Sequence, residues 1–371
     1  MAPSGFSMKK RLIRWIIIDF VMLGVFLCVF CYFHHVRPLR MMSAADSYTM
    51  PPPQPTPQPT PMPEATPTPT PSQKSDPADD SPSPSPEAAE TPMPASTGLL
   101  GGKFADKFTS GEVERAAMSY RSANVCLETT KVQTADPCLT YFLVDIYIQD
   151  ISSFQTIVAL DYKDENPSDI KTAMEARRLS RIAGGIVSLS GDHFATQPTG
   201  RWIMRNRREW HRRLPFEMDI CVLYSDGVME TYTANVAQRN VDAILARDPL
   251  HIWSFGPELL INGAATKRFS ATNGSGTKRN PRSAIGYYEP GHYCFLLVDG
   301  RQRGYSLGMT YTEMSQFFYE LGCTAAYNLD GGDSAVLCWG DKWLNHPQDE
   351  EPRGAADLLY IVEPTGGKEA S

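Results

Sequence analysis

The sequence predicts an α+β fold: a strand-rich single domain, preceded by one transmembrane helix and a disordered Pro-rich stalk. Three observations carry this. Residues 97–371 hold many short apolar runs bounded by Gly, Pro, Asn and Asp, with neither regular strand–helix alternation nor an internal repeat. Residues 15–33 read WIIIDFVMLGVFLCVFCYF, 19 residues with a single charge. Of the 30 prolines, 17 fall between Pro51 and Pro94.

The N-terminal elements follow from these runs. At about 1.5 Å rise per residue, 15–33 spans the hydrocarbon core of a bilayer. Residues 1–14 form a basic tail with Lys9, Lys10, Arg11 and Arg14, which stays cytoplasmic and leaves everything after the span outside. Asp19 lies one turn from the inner interface, where a carboxylate reaches headgroups. Small residues Ser43-Ala44-Ala45 could serve signal cleavage, but they stand behind His34, His35, Arg37 and Arg40, so an uncleaved anchor is the expectation. Residues 34–96 are a Pro/Thr/Ser-rich linker. Proline removes donors and fixes φ, so this stretch is extended, and some 45 residues of it reach on the order of 140 Å.

From residue 97 the composition becomes globular. Short helices are expected at 112–120 and 169–182. Strands are expected at 141–148, 154–161 and 185–189. Met218–Tyr224 and Val228–Tyr232 make a hairpin about Asp226-Gly227, and 251–255 and 259–261 are short strands about Gly256-Pro257. A second hairpin joins 284–288 to 293–298. Thr310 caps a helix running to about Leu321, Glu313 completing a capping box. Strands at 325–328, 335–339 and 358–362 close the domain.

Charge is unevenly distributed. Residues 1–40 carry six Lys/Arg against one acid, 41–96 one base against seven acids, and 97–371 28 bases against 34 acids. A mildly acidic globular part argues against nonspecific nucleic-acid binding, which normally shows a basic face, while leaving room for a local basic pocket; no nucleic-acid partner is expected. The run Arg205, Arg207, Arg208, Arg212, Arg213 reads as a solvated face. Six cysteines fall in the outer domain at long, irregular spacing, which disfavours a zinc cluster; Cys294, Cys323 and Cys338 read as buried thiols.

Polar groups gather at strand ends in four places: Ser190-Gly191-Asp192-His193, Asn280-Pro281-Arg282-Ser283, Asp299-Gly300-Arg301, and Asn328-Leu329-Asp330-Gly331-Gly332-Asp333-Ser334. Carboxylates and an arginine on such loops can converge, and glycines let backbone N–H groups approach an anion closely. Asp192, Asp299, Asp330 and Asp333 also offer hard oxygen ligands, making a divalent cation the one cofactor considered, though their spacing fits no fixed metal motif.

The order and local sequence of these clusters resemble the phosphodiester glycosidase family, whose animal member removes an N-acetylglucosamine that covers mannose 6-phosphate, and which is related to bacterial exopolysaccharide biosynthesis proteins. The resemblance runs from 184 to 360. It is carried by NPRSAIGYYEPGHYCFLLVDGR, GMTYTEMSQFFYELGCTAAYNLDGGDSA and WSFGPELLINGA. It implies hydrolysis of a sugar-1-phosphodiester, with Asp330, Asp299, Asp192 and His193 as catalytic candidates. Phosphate or sugar would be bound by Arg282, Asn328, Gly331, Gly332, Ser334, Ser190, Gly191 and Arg301. In this reading Arg282 clamps the phosphate, the amides of Gly331 and Gly332 add donors, and Asp330 or Asp299 acts as base, nucleophile or oxocarbenium stabiliser. Two positions depart from the family: Ser190 stands where members carry Asn, and Asp333 where many carry Gly.

Anchor, stalk and outer domain together predict a single-pass surface protein, bacterial and Gram-positive, acting on envelope or extracellular glycans. Two rival readings are a glycan-binding module without catalysis and a phosphodiesterase that cuts the P–O bond.

Overall fold

The computed structural model describes residues 98–159, 173–193, 200–269, 275–349 and 352–364. The expected tail, anchor and stalk lie outside the described residues, as do the ends of the strand and helix expected at 154–161 and 169–182. Among the described residues no helix is long and apolar enough to cross a membrane.

Among the described residues, three large antiparallel sheets and a two-stranded one, Leu260–Ile261 with Ala264–Ala265, make up the domain. The largest has seven strands in the order Glu114–Ala116, Ser119–Arg121, Val125–Ala135, Cys138–Ile148, His292–Val298, Arg282–Glu289, Ala325–Leu329. A five-stranded sheet runs Lys342–Trp343, Leu337–Trp339, Val187–Ser190, Asp357–Ile361, Phe154–Val158. The other five-stranded sheet runs Met229–Tyr232, Ile220–Tyr224, Pro249–Trp253, Trp202–Arg205, Arg208–Arg212.

Two-residue alternation explains how they pack. In Cys138–Ile148, Phe142, Val144, Ile146 and Ile148 face a core shared with Leu189, Leu337 and Leu359 of one small sheet and Cys221 and Trp253 of the other. Tyr141 and Leu143 face the opposite way, onto Met314, Phe317 and Phe318 of the helix Tyr311–Glu320. This strand is therefore buried on both faces and reads as one continuous apolar run. Each fully buried side chain of this size contributes roughly 1.5–3 kcal/mol. The helix begins at the expected capping box: Thr310 Oγ1 accepts from the Glu313 N–H, and Glu313 Oε2 accepts from the Thr310 N–H.

Several expectations are corrected. Residues 112–120 are not helical; Glu114–Ala116 and Ser119–Arg121 pair as an antiparallel hairpin at the edge of the large sheet, where ladder hydrogen bonds override local helix propensity. The arginine run is not uniformly solvated. Trp202–Arg205 and Arg208–Arg212 form a hairpin, and Arg205 is buried between two carboxylates. The strand Val125–Ala135 and the short helices Ala234–Arg239 and Val241–Ala246 are additions.

The register decides where polar residues meet. Ser283 pairs with Leu329, and Ser190 pairs with Leu358. The Asp330 N–H then donates to the Gly191 carbonyl at 2.8 Å, tying the end of Ala325–Leu329 to the end of Val187–Ser190. Arg282 pairs with Val298, which leads into Asp299-Gly300-Arg301, so all four polar clusters share one edge of the core.

Candidate active site

At the end of Val187–Ser190 the chain turns through Gly191 against Asp357. A Cβ at Gly191 would lie 2.7 Å from the Asp357 carboxyl carbon, so only glycine fits this approach. Asp357 Oδ1 accepts the Asp192 N–H at 2.6 Å, and Asp357 Oδ2 meets Arg205 Nε at 2.5 Å. The Asp192 carboxylate is taken up in turn: Oδ1 accepts from Arg201 Nη1 at 3.2 Å, and Oδ2 accepts from the Ser254 N–H at 2.7 Å with Arg205 Nη2 at 3.5 Å. Two buried aspartates and two buried arginines form one network beneath the turn. Buried charges persist where they are paired and hydrogen-bonded, as these are.

Above the network the His193 ring faces Asp330, with Nδ1 3.4 Å from Oδ2. Arg353 approaches the same carboxylate, its Nη2 3.2 Å from Oδ2 and 3.4 Å from Oδ1, while its Nε donates to Ser334 Oγ at 2.8 Å. Asp330 is 7% exposed, and burial pushes its pKa up to about 7. Arg353 and a hydrogen bond from Ser334 oppose the rise, and the Asp192 carboxylate adds to it. Burial prevails because Arg353 is itself half exposed and its charge is screened. His193 moves the other way: burial, then Arg353, lower its pKa, so its imidazole is neutral at pH 7.

The remaining candidates divide. Ser190 Oγ lies 2.7 Å from Ser283 Oγ and donates to the Asp330 carbonyl at 3.1 Å, so its hydroxyl ties two strands together. The Gly332 N–H donates to the Pro281 carbonyl at 2.9 Å, which corrects the expectation that it serves as an anion donor. Gly331 packs on that same carbonyl, where a Cβ would sit 2.6 Å away. Asn328 is buried; its Nδ2 donates to the Gly256 carbonyl at 2.7 Å. Arg282 is buried beside Tyr311, its guanidinium carbon 4.2 Å from the ring centre. Its Nε and Nη2 donate to the carbonyls of Met309 and Lys278, each at 2.9 Å. Desolvation lowers its pKa.

Asp299 is set apart from Asp330 by its partners. Its Oδ1 accepts from Asn345 Nδ2 at 3.0 Å, and its Oδ2 accepts from the His346 N–H at 3.1 Å and the Tyr305 hydroxyl at 2.9 Å. Burial raises its pKa. Arg301 pairs with Asp333 at 2.6 Å and donates from Nε to Asn280 Oδ1 at 3.1 Å, so the extra acid of this chain is neutralised by a neighbouring cation. The four acidic metal candidates therefore hold separate partners, and no group of three or more His, Cys, Asp or Glu able to hold a metal ion occurs among the described residues. These residues do not fit the divalent cation considered from the sequence.

Sequence reasoning missed Arg353, Asp357, Arg201 and Ser254. None lies in a glycine-rich or paired-acid motif, and only the topology brings them to the site. Two cavities lie away from Asp330: one of about 310 Å³ lined by Arg205, Arg208, Trp210 and Tyr360, and one of about 540 Å³ lined by Asp219, Glu258, Phe216 and Phe269.

The site defines a class: a buried carboxyl titrating near neutrality, beside a neutral imidazole and a half-exposed arginine, on an antiparallel scaffold. Residues 182–362 match the family described as phosphodiester glycosidase. The chain is 30% identical over 148 residues to the SPbeta prophage-derived uncharacterized protein YomE of Bacillus subtilis (strain 168). That match covers 39% of this chain and 22% of the relative, so it spans about a fifth of the relative's length. Among solved structures, the catalytic domain of zebrafish N-acetylglucosamine-1-phosphodiester alpha-N-acetylglucosaminidase is similar at a TM-score of 0.53 and 16% identity, over 68% of this chain and 88% of that one. A hypothetical protein from Synechocystis is similar at a TM-score of 0.50 and 12% identity, over 68% and 64%. These two likenesses are likenesses of fold.

Proposed function

We propose that this protein hydrolyses the glycosidic bond of a sugar-1-phosphodiester, releasing the sugar and leaving a phosphomonoester. The observation that carries the reading is the Asp330 carboxyl: buried, titrating at about 7, and held between His193 Nδ1 and Arg353. A group with that pKa exchanges protons efficiently at neutral pH. Asp299, the other candidate for this role, has both oxygens bound by Asn345, His346 and Tyr305.

An ordinary glycosidase needs a carboxylic acid to protonate a poor leaving alkoxide. A phosphomonoester leaves far more readily, so the site has to hold an anion and place a carboxylate near the anomeric carbon. Arg353, half exposed beside Asp330, is the cation such a phosphate meets. Deprotonated Asp330 takes the proton from the attacking water, and neutral His193 keeps the carboxylate oriented. The Asp192, Asp357, Arg201 and Arg205 network positions His193 from below without contacting substrate. We take the reaction to occur outside the cell, on envelope or extracellular glycans, a reading supported by the apolar run 15–33 and the Pro-rich run 34–96 of the sequence.

The test is release of free sugar from a panel of sugar-1-phosphodiesters in ¹⁸O water. Label on the sugar identifies glycosidic cleavage; label on phosphate identifies P–O cleavage. Binding without release, by folded protein across the panel, identifies a binding module and overturns the proposal.

A further inference from the structure

On the helix-covered face of the large sheet, two thiols touch. Cys294 lies in the strand His292–Val298, and Cys323 follows the helix Tyr311–Glu320. Their sulfurs are 3.9 Å apart, both side chains are buried, and 29 positions of sequence separate them. Among the described residues no other two cysteines are in contact: Cys126, Cys221 and Cys338 are buried in different clusters, and Cys138 is only partly covered.

The surroundings favour this approach. Cys294 pairs across the ladder with Gly286, and a Cβ at Gly286 would lie 2.7 Å from the Cys294 sulfur. Glycine at 286 therefore makes the space that the Cys294 side chain occupies. Phe318 of the helix closes the same space from above, its ring 2.8 Å from that Cβ position, so the helix presses the chain bearing Cys323 toward the strand. Closing 3.9 Å to the roughly 2.0 Å of a sulfur–sulfur bond takes side-chain rotation and a small backbone shift.

We propose that Cys294 and Cys323 are a disulfide-forming pair that fastens the helix Tyr311–Glu320 to the central strand when the chain folds in an oxidising compartment. One cysteine thiolate attacks a disulfide oxidant such as oxidised glutathione and expels one glutathione thiolate. The second cysteine thiolate then attacks the mixed disulfide at the protein sulfur, forming the Cys294–Cys323 bond and expelling the second glutathione thiolate. Two protein thiols are oxidised, one glutathione disulfide is reduced, and the two protons lost by the protein thiols end on the two glutathione thiols. Burial makes folding the moment for this reaction: once the helix has docked, neither sulfur is open to a bulky oxidant. The cross-link closes a loop of about 30 residues in the unfolded chain, the origin of its stabilising effect.

The test compares full-length protein refolded in a glutathione redox buffer with protein kept in excess reductant. After unfolding and alkylation, the expected product has six modifiable thiols of the eight in the sequence, is lighter by two hydrogen atoms before alkylation, and yields a chymotryptic species joining the Cys294 and Cys323 peptides, with Cys338 on a separate fragment. Its thermal midpoint is expected to fall by on the order of 5–10 °C on reduction. Cys294→Ser and Cys323→Ser each abolish the cross-linked species, while Cys126→Ser leaves it in place; should both pair variants misfold, the wild-type peptide map decides alone. Eight free thiols after oxidative refolding, or a bridge joining other cysteines, overturns the proposal.

Discussion

Asp330 Oδ2 and His193 Nδ1 face each other at 3.4 Å across the junction of two sheets, one residue beyond the end of Ala325–Leu329 and three beyond the end of Val187–Ser190. Each is carried by the last turn of a strand whose body is core, so their separation is set by the packing of the sheets. Burial acts on the two in opposite senses, raising the acid to about 7 and lowering the base, so that each is pushed toward its neutral form.

The first prediction concerns stability. Asp330 has a folded-state pKa of about 7 against 3.8 when unfolded, so between these values the native state holds more protons than the unfolded one. Its contribution therefore favours folding fully below 3.8 and is lost as pH rises to about 7. Asp330→Asn removes the buried charge. The variant is expected to match wild type near pH 4 and to exceed it near pH 8 in urea denaturation. An equal difference at both pH values contradicts the assignment.

With Asp330 acting as base, kcat/KM is expected to rise with pH through about 7 and then level off. Arg353 lowers the Asp330 pKa, so Arg353→Ala is expected to move this limb to higher pH and to raise KM through loss of the phosphate contact. A pH–rate profile of wild type and variant, on any hydrolysed phosphodiester, checks both. A limb that stays in place would remove Arg353 from the site.

Gly191 is where the turn leans on Asp357. Gly191→Ala sets a methyl 2.7 Å from the Asp357 carboxyl carbon, against atoms held by Arg205 and the Asp192 N–H. A loss of about 1–3 kcal/mol is expected in denaturation. Asp357→Ala, which leaves Arg205 buried without its nearest partner, is expected to cost about 3–5 kcal/mol. A wild-type midpoint in either would show that the turn relaxes freely.

Much of this was legible in the sequence. The Asp226-Gly227 hairpin, the hairpin of NPRSAIGYYEPGHYCFLLVDGR and the capping box at Thr310 all express local rules, and the structure contains each. Asp330 and His193 stood out because polar residues after apolar strands mark strand ends. Local rules do not reveal cross-sheet pairing. Arg205 sits in a run of arginines whose exposed members look the same in sequence, and only the hairpin that turns it inward makes it a partner of Asp192 and Asp357. Arg353 reaches Asp330 from a strand-leading segment 23 positions away. Asp299, in the conspicuous VDGR turn, spends its carboxylate on Asn345 and His346, contacts no spacing could show.

The central claim is that Asp330 performs a glycosidic cleavage. The most direct measurement is release of reducing sugar from an N-acetylglucosamine-1-phosphodiester and related sugar phosphodiesters, by wild type and by Asp330→Asn at pH 7.5. The account predicts turnover by wild type and a loss of roughly 10²–10⁴-fold in the variant, with the fold unchanged by circular dichroism. Sugar release by Asp330→Asn at the wild-type rate would contradict it.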